Sequence, residues 1–328
     1  MVSSGVDSLI SYQDIENARQ SFGGEVKKTP LVRSSYLSEL SGGEVYLKLE
    51  NLQLTNSFKI RGAMARMKRL NADEIRRGVI TASAGNHGQA VAICAEKLNS
   101  KAIVVVPETT PKVKIEKIRR GNVELILHGR VFDIAEQYAR KLAKERGLTF
   151  ISGYNDPMVA AGQGTIGLEI LEDLPNVDSV IVPVGGGGLI AGISTAMKSI
   201  RPNVEVLGVE PEASAAMYYS LKAGKLIDVE TRDTIADGLA GNIERDCITF
   251  PIVQKHLKEI LLFDETTIRR MIRVLWERER QRVEGAGAIS IAPIVSASNR
   301  FTGKHVVSII TGGNIDDSVF NEILTNDS

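Results

Sequence analysis

The chain has 328 residues, which is enough to bury a large hydrophobic core or to form two domains. Its 40 basic and 40 acidic residues cancel, so no strong field favours binding to nucleic acid or to an anionic membrane. No apolar run reaches the roughly twenty residues of a membrane span, and no signal peptide is evident, so we expect a cytoplasmic protein.

Strands and helices are predicted to alternate along the whole chain. The predicted strands cover residues 45–50, 79–80, 101–107, 123–127, 177–184, 204–209 and 304–310. The predicted helices start near residues 57 and 86 and cover residues 112–120, 132–146 and 189–200. This alternation predicts an α/β fold with parallel-rich sheets covered by helices, and an active site at the C-terminal ends of the strands.

Lys59 is the first residue with a chemical signal. Asn56 and Ser57 are good N-cap residues, and apolar residues recur at helical spacing from Ile60 to Leu70, so Lys59 should lie in the first turn of a helix. The positive end of the helix dipole disfavours an ammonium there and biases the amine towards its neutral, nucleophilic form. A single lysine is more often a solvated surface residue, so its role depends on the other motifs.

A turn rich in small residues follows the strand at 79–80 and runs from Thr81 to Gln89. Small residues at a helix N-terminus suit a site that holds a carboxylate through backbone donors. Asn86 in this turn offers both a hydrogen-bond donor and an acceptor. The turn could equally serve only to cap the helix, so by itself it leaves both interpretations open.

Four consecutive glycines, Gly185 to Gly188, join the strand at 177–184 to the helix that starts at Leu189. Bare backbone N–H groups can surround an anion, and the helix N-terminus adds partial positive charge. A flexible linker is the alternative, although linkers rarely join a strand directly to an amphipathic helix. The spacing of this loop does not fit G-x-G-x-x-G, because position 190 is Ile, and the loop lacks the Gly-Lys-Ser/Thr of a P-loop. A compact monophosphate therefore fits better here than a dinucleotide or ATP.

Five motifs in this order resemble the fold-type-II pyridoxal-phosphate enzymes, specifically the serine/threonine dehydratase (threonine ammonia-lyase) and serine racemase branch. The motifs are Ser57–Ala63, Ser83–Gln89, Gly185–Leu189, Glu284–Ala288 and Thr311–Asn314. The resemblance covers nearly the whole chain and implies a fold like that of the tryptophan synthase β subunit. Glu284 is expected either near the rim of the cofactor or as a helix cap, and both roles stay open.

The resemblance implies pyridoxal 5'-phosphate as the cofactor, bound covalently by Lys59. It also implies that Phe58 packs on the cofactor ring, that Asn86 binds the phenolate oxygen, and that Thr311 faces the pyridine nitrogen. The phosphate is expected on the main-chain N–H groups of five residues: Gly185, Gly186, Gly187, Gly188 and Leu189.

The resemblance further implies a small amino-acid substrate, whose carboxylate binds in the turn after the strand at 79–80. The expected substrate-binding residues are Ser83, Ala84, Gly85, Asn86 and His87. Lys59 would remove the Cα proton, and β-elimination of L-threonine or L-serine would yield 2-oxobutanoate or pyruvate plus ammonia. Thr311 favours elimination over transamination, because a hydroxyl cannot hold the ring nitrogen protonated as a carboxylate would.

Three alternatives stay open: a serine racemase, a dehydratase of another β-hydroxy amino acid such as 3-hydroxyaspartate or phenylserine, and a non-catalytic cofactor carrier. Eukaryotic racemases of this family carry a serine at the position of Ala84, whose methyl group cannot titrate. The segment 234–242 resembles the wall facing the substrate side chain but departs from the commonest dehydratase version. The preferred substrate is therefore open.

The resemblance also bears on metal binding and organisation. Glu210 matches one carboxylate of a divalent-cation site in relatives, but the second position is Ala216, so we expect no divalent metal, with a monovalent cation left open. Residues 79–155 are expected to form a small domain, inserted into a large domain of residues 1–78 and 156–328, with the active site between them. A homodimer or homotetramer without a regulatory domain is expected.

Overall fold

The structure is a computed structural model, and it describes residues 9–110, 112–119 and 123–325. In these residues ten strands form two sheets. The strands of the larger sheet are β1 (Leu31–Arg33), β2 (Glu44–Leu49), β7 (Ser179–Pro183), β8 (Glu205–Pro211), β9 (Glu259–Phe263) and β10 (His305–Ile310). Those of the smaller sheet are β3 (Val79–Ala82), β4 (Ala102–Val106), β5 (Val123–Leu127) and β6 (Thr149–Phe150).

The larger sheet has the strand order β1-β2-β10-β7-β8-β9, and the smaller has the order β5-β4-β3-β6. Every pairing between these strands is parallel except that of β1 with β2. The parallel-rich α/β fold expected from the sequence is therefore confirmed. Because parallel strands end at the same edge, the residues after β7 and β10 are brought to one edge of the larger sheet.

Helices connect the strands and cover both sheets, as parallel pairing requires. In the described residues they are α1 (Tyr12–Ser21), α2 (Ser35–Ser41), α3 (Lys59–Met67), α4 (Ala72–Arg77), α5 (Asn86–Lys97), α6 (Lys112–Arg119), α7 (Phe132–Arg146), α8 (Pro157–Asp173), α9 (Gly188–Ile200), α10 (Ala216–Ala223), α11 (Thr249–His256), α12 (Glu265–Glu279), α13 (Gly285–Ala288), α14 (Ala292–Ser296) and α15 (Asp317–Thr325). The predicted helix at 112–120 is α6, and Arg120 lies outside the described residues.

The largest cluster of buried apolar residues lies on both sides of α3. It includes Ile60 and Met64 of α3, Val91 of α5 and Ile166 of α8. Helix α5 connects two strands of the smaller sheet, β3 and β4. This core is continuous between the parts of the chain that carry the two sheets. The proposed division into domains at residues 79 and 155 stays a prediction.

Glycines allow α3 to approach α8 closely. A Cβ atom on Gly62 would lie 2.7 Å from the carbonyl oxygen of Val159, and one on Gly162 would lie 2.5 Å from that of Arg61. Such distances are far below van der Waals contact, so a side chain at either position would force the helices apart. The position of α3, and of Lys59 at its start, is thereby set by helix packing.

A buried cluster of four charges ties α3 to the larger sheet. Arg61 binds Glu50 at 2.8 Å and Glu169 at 2.7 Å, while Lys48 of β2 binds Glu169 at 2.6 Å. The side chains of Arg61, Lys48 and Glu50 are all 0% exposed. Two cations balance two anions here, so the cluster satisfies the rule that buried charges are paired.

The start of α3 differs from the sequence prediction. Asn56 and Ser57 do not cap it: the N-cap position is held by Phe58, which makes no side-chain capping bond. Asn56 adopts a φ of 52°, and Ser57 forms a β-bridge with Gly312 instead. The predicted capping was wrong because backbone pairing with a distant segment takes up these residues, and the helix also ends before Leu70.

The charge cluster yields a stability prediction. Replacing Arg61 with alanine leaves Glu50 and Glu169 with too little positive charge in a buried site, so Arg61→Ala should lower the free energy of unfolding by about 3–5 kcal/mol. Arg76→Ala, which breaks the exposed pair with Asp73, is the control and should change it by about 0.5 kcal/mol or less. Urea denaturation measures both. Equal effects would contradict a special role for the cluster.

Candidate active site

Four segments meet around Lys59 at the C-terminal edge of the larger sheet. The N–H group of Phe58 donates to the carbonyl of Thr311 at 3.1 Å, which joins the start of α3 to the residues after β10. Asn314 then donates to Asn86 at 2.7 Å, which adds the turn after β3. Lys59 donates to the carbonyl of Gly153 at 3.0 Å, which adds the loop that follows β6.

Lys59 lies partly buried among these segments. Its Nζ atom is 5.2 Å from the centre of the Phe58 ring and is hydrogen-bonded to Gly153. Burial lowers its pKa to about 8, against an opposing effect of the Glu284 carboxylate. The fraction of neutral amine therefore rises as pH increases through about 8, and near neutral pH it is far larger than for a solvated lysine. The amine is available as a nucleophile and a base.

His87 lies beside Lys59 in the first turn of α5. Its Nε2 atom is 3.0 Å from the carbonyl oxygen of Ile151, and Nδ1 is buried without a partner among the described residues. Burial, and then the charge of Lys59, lower its pKa to about 4. The ring is therefore neutral at pH 7, with the proton on Nε2, where the carbonyl accepts it.

The turn from Ser83 to His87 presents backbone donors. The N-cap of α5 is Gly85, which makes no side-chain capping bond and donates its own N–H to Ser83 Oγ at 3.2 Å. The N–H groups of Asn86 and His87 have no acceptor among the described residues. Open donors at a helix N-terminus favour a carboxylate ligand, as the sequence suggested for this turn. Ala84 contributes no polar side-chain atom.

The glycine loop is a second open set of donors. In the described residues no acceptor is paired with the N–H groups of Gly185 to Leu189. Gly187 has a φ of 86°, and the hydroxyl of Thr249 donates to the carbonyl of Gly186 at 2.7 Å. The amides are therefore free to bind an anion at the start of α9, and the geometry fits a phosphate group.

Tyr154 is a site residue that the sequence did not reveal. A Cβ atom on Gly186 would lie 2.5 Å from Cγ of the Tyr154 ring, and one on Gly188 would lie 3.0 Å from Tyr154 Cα. The Tyr154 hydroxyl accepts the N–H of Glu244 at 2.9 Å, which holds the ring against the loop. No motif surrounds this tyrosine, so only its contacts identify it.

Glu284 lies beside Asn86 and does not cap a helix through its side chain. It occupies the N-cap position of α13 without a capping bond, and its Oε1 accepts from Asn86 Nδ2 at 2.7 Å. Burial, and then the charge of Asp237, raise its pKa to about 7. Of the two roles expected for Glu284, the structure supports a position next to the candidate site and not a helix cap. Thr311, expected to face the cofactor, is 3% exposed and follows β10.

Glu210 does not lie in a cluster of metal ligands. Its carboxylate accepts the N–H groups of Met217 at 3.1 Å and Tyr218 at 2.8 Å, and burial raises its pKa to about 8. The part of the chain that the structure describes contains no group of three or more His, Cys, Asp or Glu side chains placed to hold a metal ion.

Among the described residues, no helix is long and apolar enough to cross a membrane.

The glycine loop yields a binding prediction. Gly186→Ala should weaken binding of pyridoxal 5'-phosphate by roughly tenfold, because the added Cβ overlaps the Tyr154 ring and displaces the loop amides. Ser199→Ala, at the far end of α9, is the matched control and should leave affinity within about twofold. Spectroscopic titration with the cofactor measures both. Unchanged affinity in the Gly186 variant would contradict the role of the loop.

Comparison with known proteins agrees with this geometry. The family model described as pyridoxal-phosphate dependent enzyme matches residues 24–312. The chain is similar to an L-threonine ammonia-lyase of Thermotoga maritima, with 44% identity over 96% of this chain and 78% of that protein. It is also similar to the L-threonine dehydratase catabolic TdcB of Staphylococcus aureus, with 42% identity over 94% of this chain and 90% of that protein.

Solved structures show the same relationship. The processed form of threonine deaminase isoform 2 from Solanum lycopersicum has a TM-score of 0.89 and 37% identity, and the match covers 98% of this chain and 94% of that one. Maize serine racemase has a TM-score of 0.90 and 30% identity, with 96% of both chains covered. These findings confirm the resemblance drawn from the five motifs, and the chain belongs to the family of pyridoxal-phosphate dependent enzymes.

Proposed function

We propose that this protein is an ammonia-lyase that dehydrates and deaminates L-threonine, L-serine or both, giving 2-oxobutanoate or pyruvate plus ammonia. The observation that carries the proposal is the placement of the Lys59 amine near two sets of open backbone donors. Lys59 binds the Gly153 carbonyl, and the next residue, Tyr154, packs on the glycine loop, which is suited to a phosphate. His87, beside Lys59, belongs to the turn that is suited to a carboxylate. The names of the similar threonine ammonia-lyase, dehydratase and deaminase support this choice of reaction.

The residues present fit the cofactor of the family. Lys59 would bind its aldehyde carbon, Asn86 its phenolate oxygen and the amides of Gly185 to Leu189 its phosphate, while Phe58 and Thr311 would lie next to its ring. When bound, pyridoxal 5'-phosphate supplies an electron sink for the electron pair that is left at the substrate Cα. Everything else in the reaction requires groups of the protein that orient the substrate and move protons.

Lys59 is the base of the proposed reaction. Its Nζ atom would take the Cα proton of the substrate, which requires the neutral amine that the lowered pKa of about 8 provides. The carbonyl of Gly153 holds Nζ by a hydrogen bond of 3.0 Å and limits the directions in which the amine can reach. A base held in this way loses less orientational freedom when the substrate binds.

The substrate carboxylate would bind at the N-terminus of α5. The open N–H groups of Asn86 and His87 would donate to it, and Ser83 Oγ lies in the same turn. With the carboxylate fixed there, rotation about the Cα is restricted and the Cα–H bond can be directed at Lys59. Next to the ring nitrogen of the cofactor, the chain has the hydroxyl of Thr311 and not a carboxylate side chain. A hydroxyl cannot keep that nitrogen protonated, which favours elimination over transamination.

The same turn favours a lyase over a racemase, the main alternative. Racemisation by two bases needs a second group that can give or take a proton on the face opposite Lys59. Ala84, at the position where eukaryotic racemases of this family carry a serine, has no such group. Burial lowers the pKa of His87 in the same turn to about 4, which makes it a weak base. Solved serine racemases are nevertheless similar in fold, so the two reactions have to be separated by assay.

The organisation of the protein belongs to the same proposal. We infer a small domain of residues 79–155 inserted in a larger one, because the strands of the smaller sheet all come from residues 79–150. A homodimer or homotetramer in the cytoplasm is the expected state.

The proposed function is tested by incubation of the pure protein with L-threonine, L-serine and D-serine. Ammonia and 2-oxobutanoate or pyruvate should form from the L-amino acids, with little D-serine produced from L-serine. Ammonia release measures elimination, and chiral chromatography measures D-serine. Substantial formation of D-serine would reverse the ranking of lyase and racemase, and no turnover with a bound cofactor would support a carrier.

Lys59→Ala should remove both activity and the covalent attachment of the cofactor. Loss of the base and nucleophile is expected to lower turnover about a thousandfold or more. Lys97→Ala, which changes an exposed lysine at the end of α5, is the control and should retain full activity. Ammonia release and the visible absorbance of the bound cofactor provide the readouts, and full turnover by the Lys59 variant would refute its role.

A further inference from the structure

Asn86 is held between two side chains that the proposed mechanism does not use. Its Nδ2 atom donates to Oε1 of Glu284 at 2.7 Å, and its Oδ1 atom accepts from Nδ2 of Asn314 at 2.7 Å. Asn314 Nδ2 also donates to the carbonyl of Thr55 at 2.9 Å. Both hydrogens of the Asn314 amide are therefore used, and its nitrogen must face Asn86.

These contacts decide which way the Asn86 amide points. If the amide were turned over, its oxygen would face the Glu284 carboxylate and its nitrogen would face the donor nitrogen of Asn314. Both contacts would then be repulsive, whereas both are hydrogen bonds in the observed orientation. One hydrogen of Asn86 Nδ2 remains without an acceptor among the described residues.

The surroundings of Glu284 are shaped to receive its carboxylate. A Cβ atom on Gly312 would overlap Glu284 Oε1 and would lie 3.3 Å from Asn86 Nδ2, so only glycine leaves room here. The backbone N–H of Glu284 donates to the Gly312 carbonyl at 3.1 Å. The side chain is thus turned away from the helix it could cap and towards Asn86.

We infer that Glu284 is a positioning residue, which fixes the orientation of the Asn86 amide so that its remaining hydrogen is directed at the phenolate oxygen of the cofactor. This inference rests on the proposed function, since it takes Asn86 as the phenolate partner. An asparagine that can turn over presents a donor only part of the time. Glu284 removes that freedom before the cofactor binds. Less ordering is then needed on binding, so the affinity for the cofactor is higher.

The charged groups around Glu284 make this role dependent on pH. Asp237 and Lys114 face it, with Lys114 Nζ bound to Asp237 at 2.5 Å, and Lys59 lies close enough to interact with it electrostatically. Burial and Asp237 raise the pKa of Glu284 to about 7, while Asn86, Lys114 and Asn314 act to lower it. Glu284 is therefore ionised above about pH 7.

As the pH falls through about 7, the carboxyl takes up a proton and one of its oxygens becomes a donor. The neutral carboxyl has lost its negative charge and keeps one carbonyl oxygen as a good acceptor, so it holds the Asn86 N–H less strongly than the carboxylate does. The orientation of Asn86 is therefore enforced more strongly above this pH than below it. The same weakening is expected at every pH in Glu284→Gln, because glutamine is uncharged and has one acceptor oxygen and one donor nitrogen.

The test measures the affinity of the full chain, freed of cofactor, for pyridoxal 5'-phosphate. Glu284→Gln should weaken binding about ten- to a hundredfold at about pH 8, the range expected for a lost hydrogen bond to a charged group. Wild-type affinity should fall towards that of the variant at about pH 6. Lys59 titrates in both proteins, and loss of the Glu284 carboxylate removes a charge that raises the pKa of Lys59. The variant therefore has more neutral amine, which would strengthen binding, so weaker binding by the variant cannot come from Lys59. Glu205→Gln, which alters an ion cluster at the opposite end of the strands, is the matched control.

A double-mutant cycle with Asn86→Ala separates positioning from a general structural role. If Glu284 acts through Asn86, Glu284→Gln should cost about twofold or less in the Asn86→Ala background. An equal cost in both backgrounds, or a Glu284→Gln affinity equal to that of Glu205→Gln, would overturn the inference. If Glu284→Gln does not fold, wild type and Asn86→Ala are compared across pH. The inference then requires that wild type loses affinity for the cofactor below about pH 7 and that Asn86→Ala does not. An equal loss in both proteins would overturn the inference.

This experiment does not depend on turnover. If wild type fails to release ammonia from L-threonine or L-serine, the proposed function is wrong, while the affinity ratio still reports on Glu284. If ammonia is released but the ratio stays near one, the positioning role alone is wrong.

Discussion

Backbone pairing between residues 57–58 and 311–312 is the constraint on which the site depends. The bridge from Ser57 to Gly312 and the bond from Phe58 to Thr311 join the start of α3 to the end of β10. Because β10 lies beside β7 in the larger sheet, this pairing brings Lys59 to the edge that also carries the glycine loop. The buried charges around Arg61 then prevent α3 from sliding along the sheet.

Burial in the candidate site shifts the pKa of three titratable groups. Burial is the largest cause of the shifted pKa of Lys59, of His87 and of Glu284, and in each case it disfavours the charged form. Lys59 consequently holds a useful fraction of neutral amine near pH 8, His87 is a neutral acceptor, and Glu284 titrates near pH 7. A single physical cause thus supplies a base and a pH-sensitive hydrogen-bond acceptor.

The sequence predicted those parts of the structure whose signal is local. The helix at Phe132–Arg146 and the strand at Val123–Leu127 have the predicted bounds, because their apolar periodicity is regular. The strands at Leu31–Arg33, Thr149–Phe150 and Glu259–Phe263 were missed. The first two are too short for a periodic pattern, and the apolar run in the third does not alternate, so periodicity cannot tell it from a buried helix segment. Asn56 was misjudged as a helix cap because tertiary pairing overrides local preference. Tyr154 could not be found, since its contact with the glycine loop joins segments that are distant in sequence.

The central claim is that the Lys59 amine bonds to the aldehyde of a cofactor whose phosphate lies on the Gly185 to Leu189 amides. Borohydride reduction of the cofactor-loaded protein, followed by peptide mapping, tests it most directly. The expected result is a single stable phosphopyridoxyl group on the peptide that contains Lys59. Labelling of another lysine, or of none, would contradict the account.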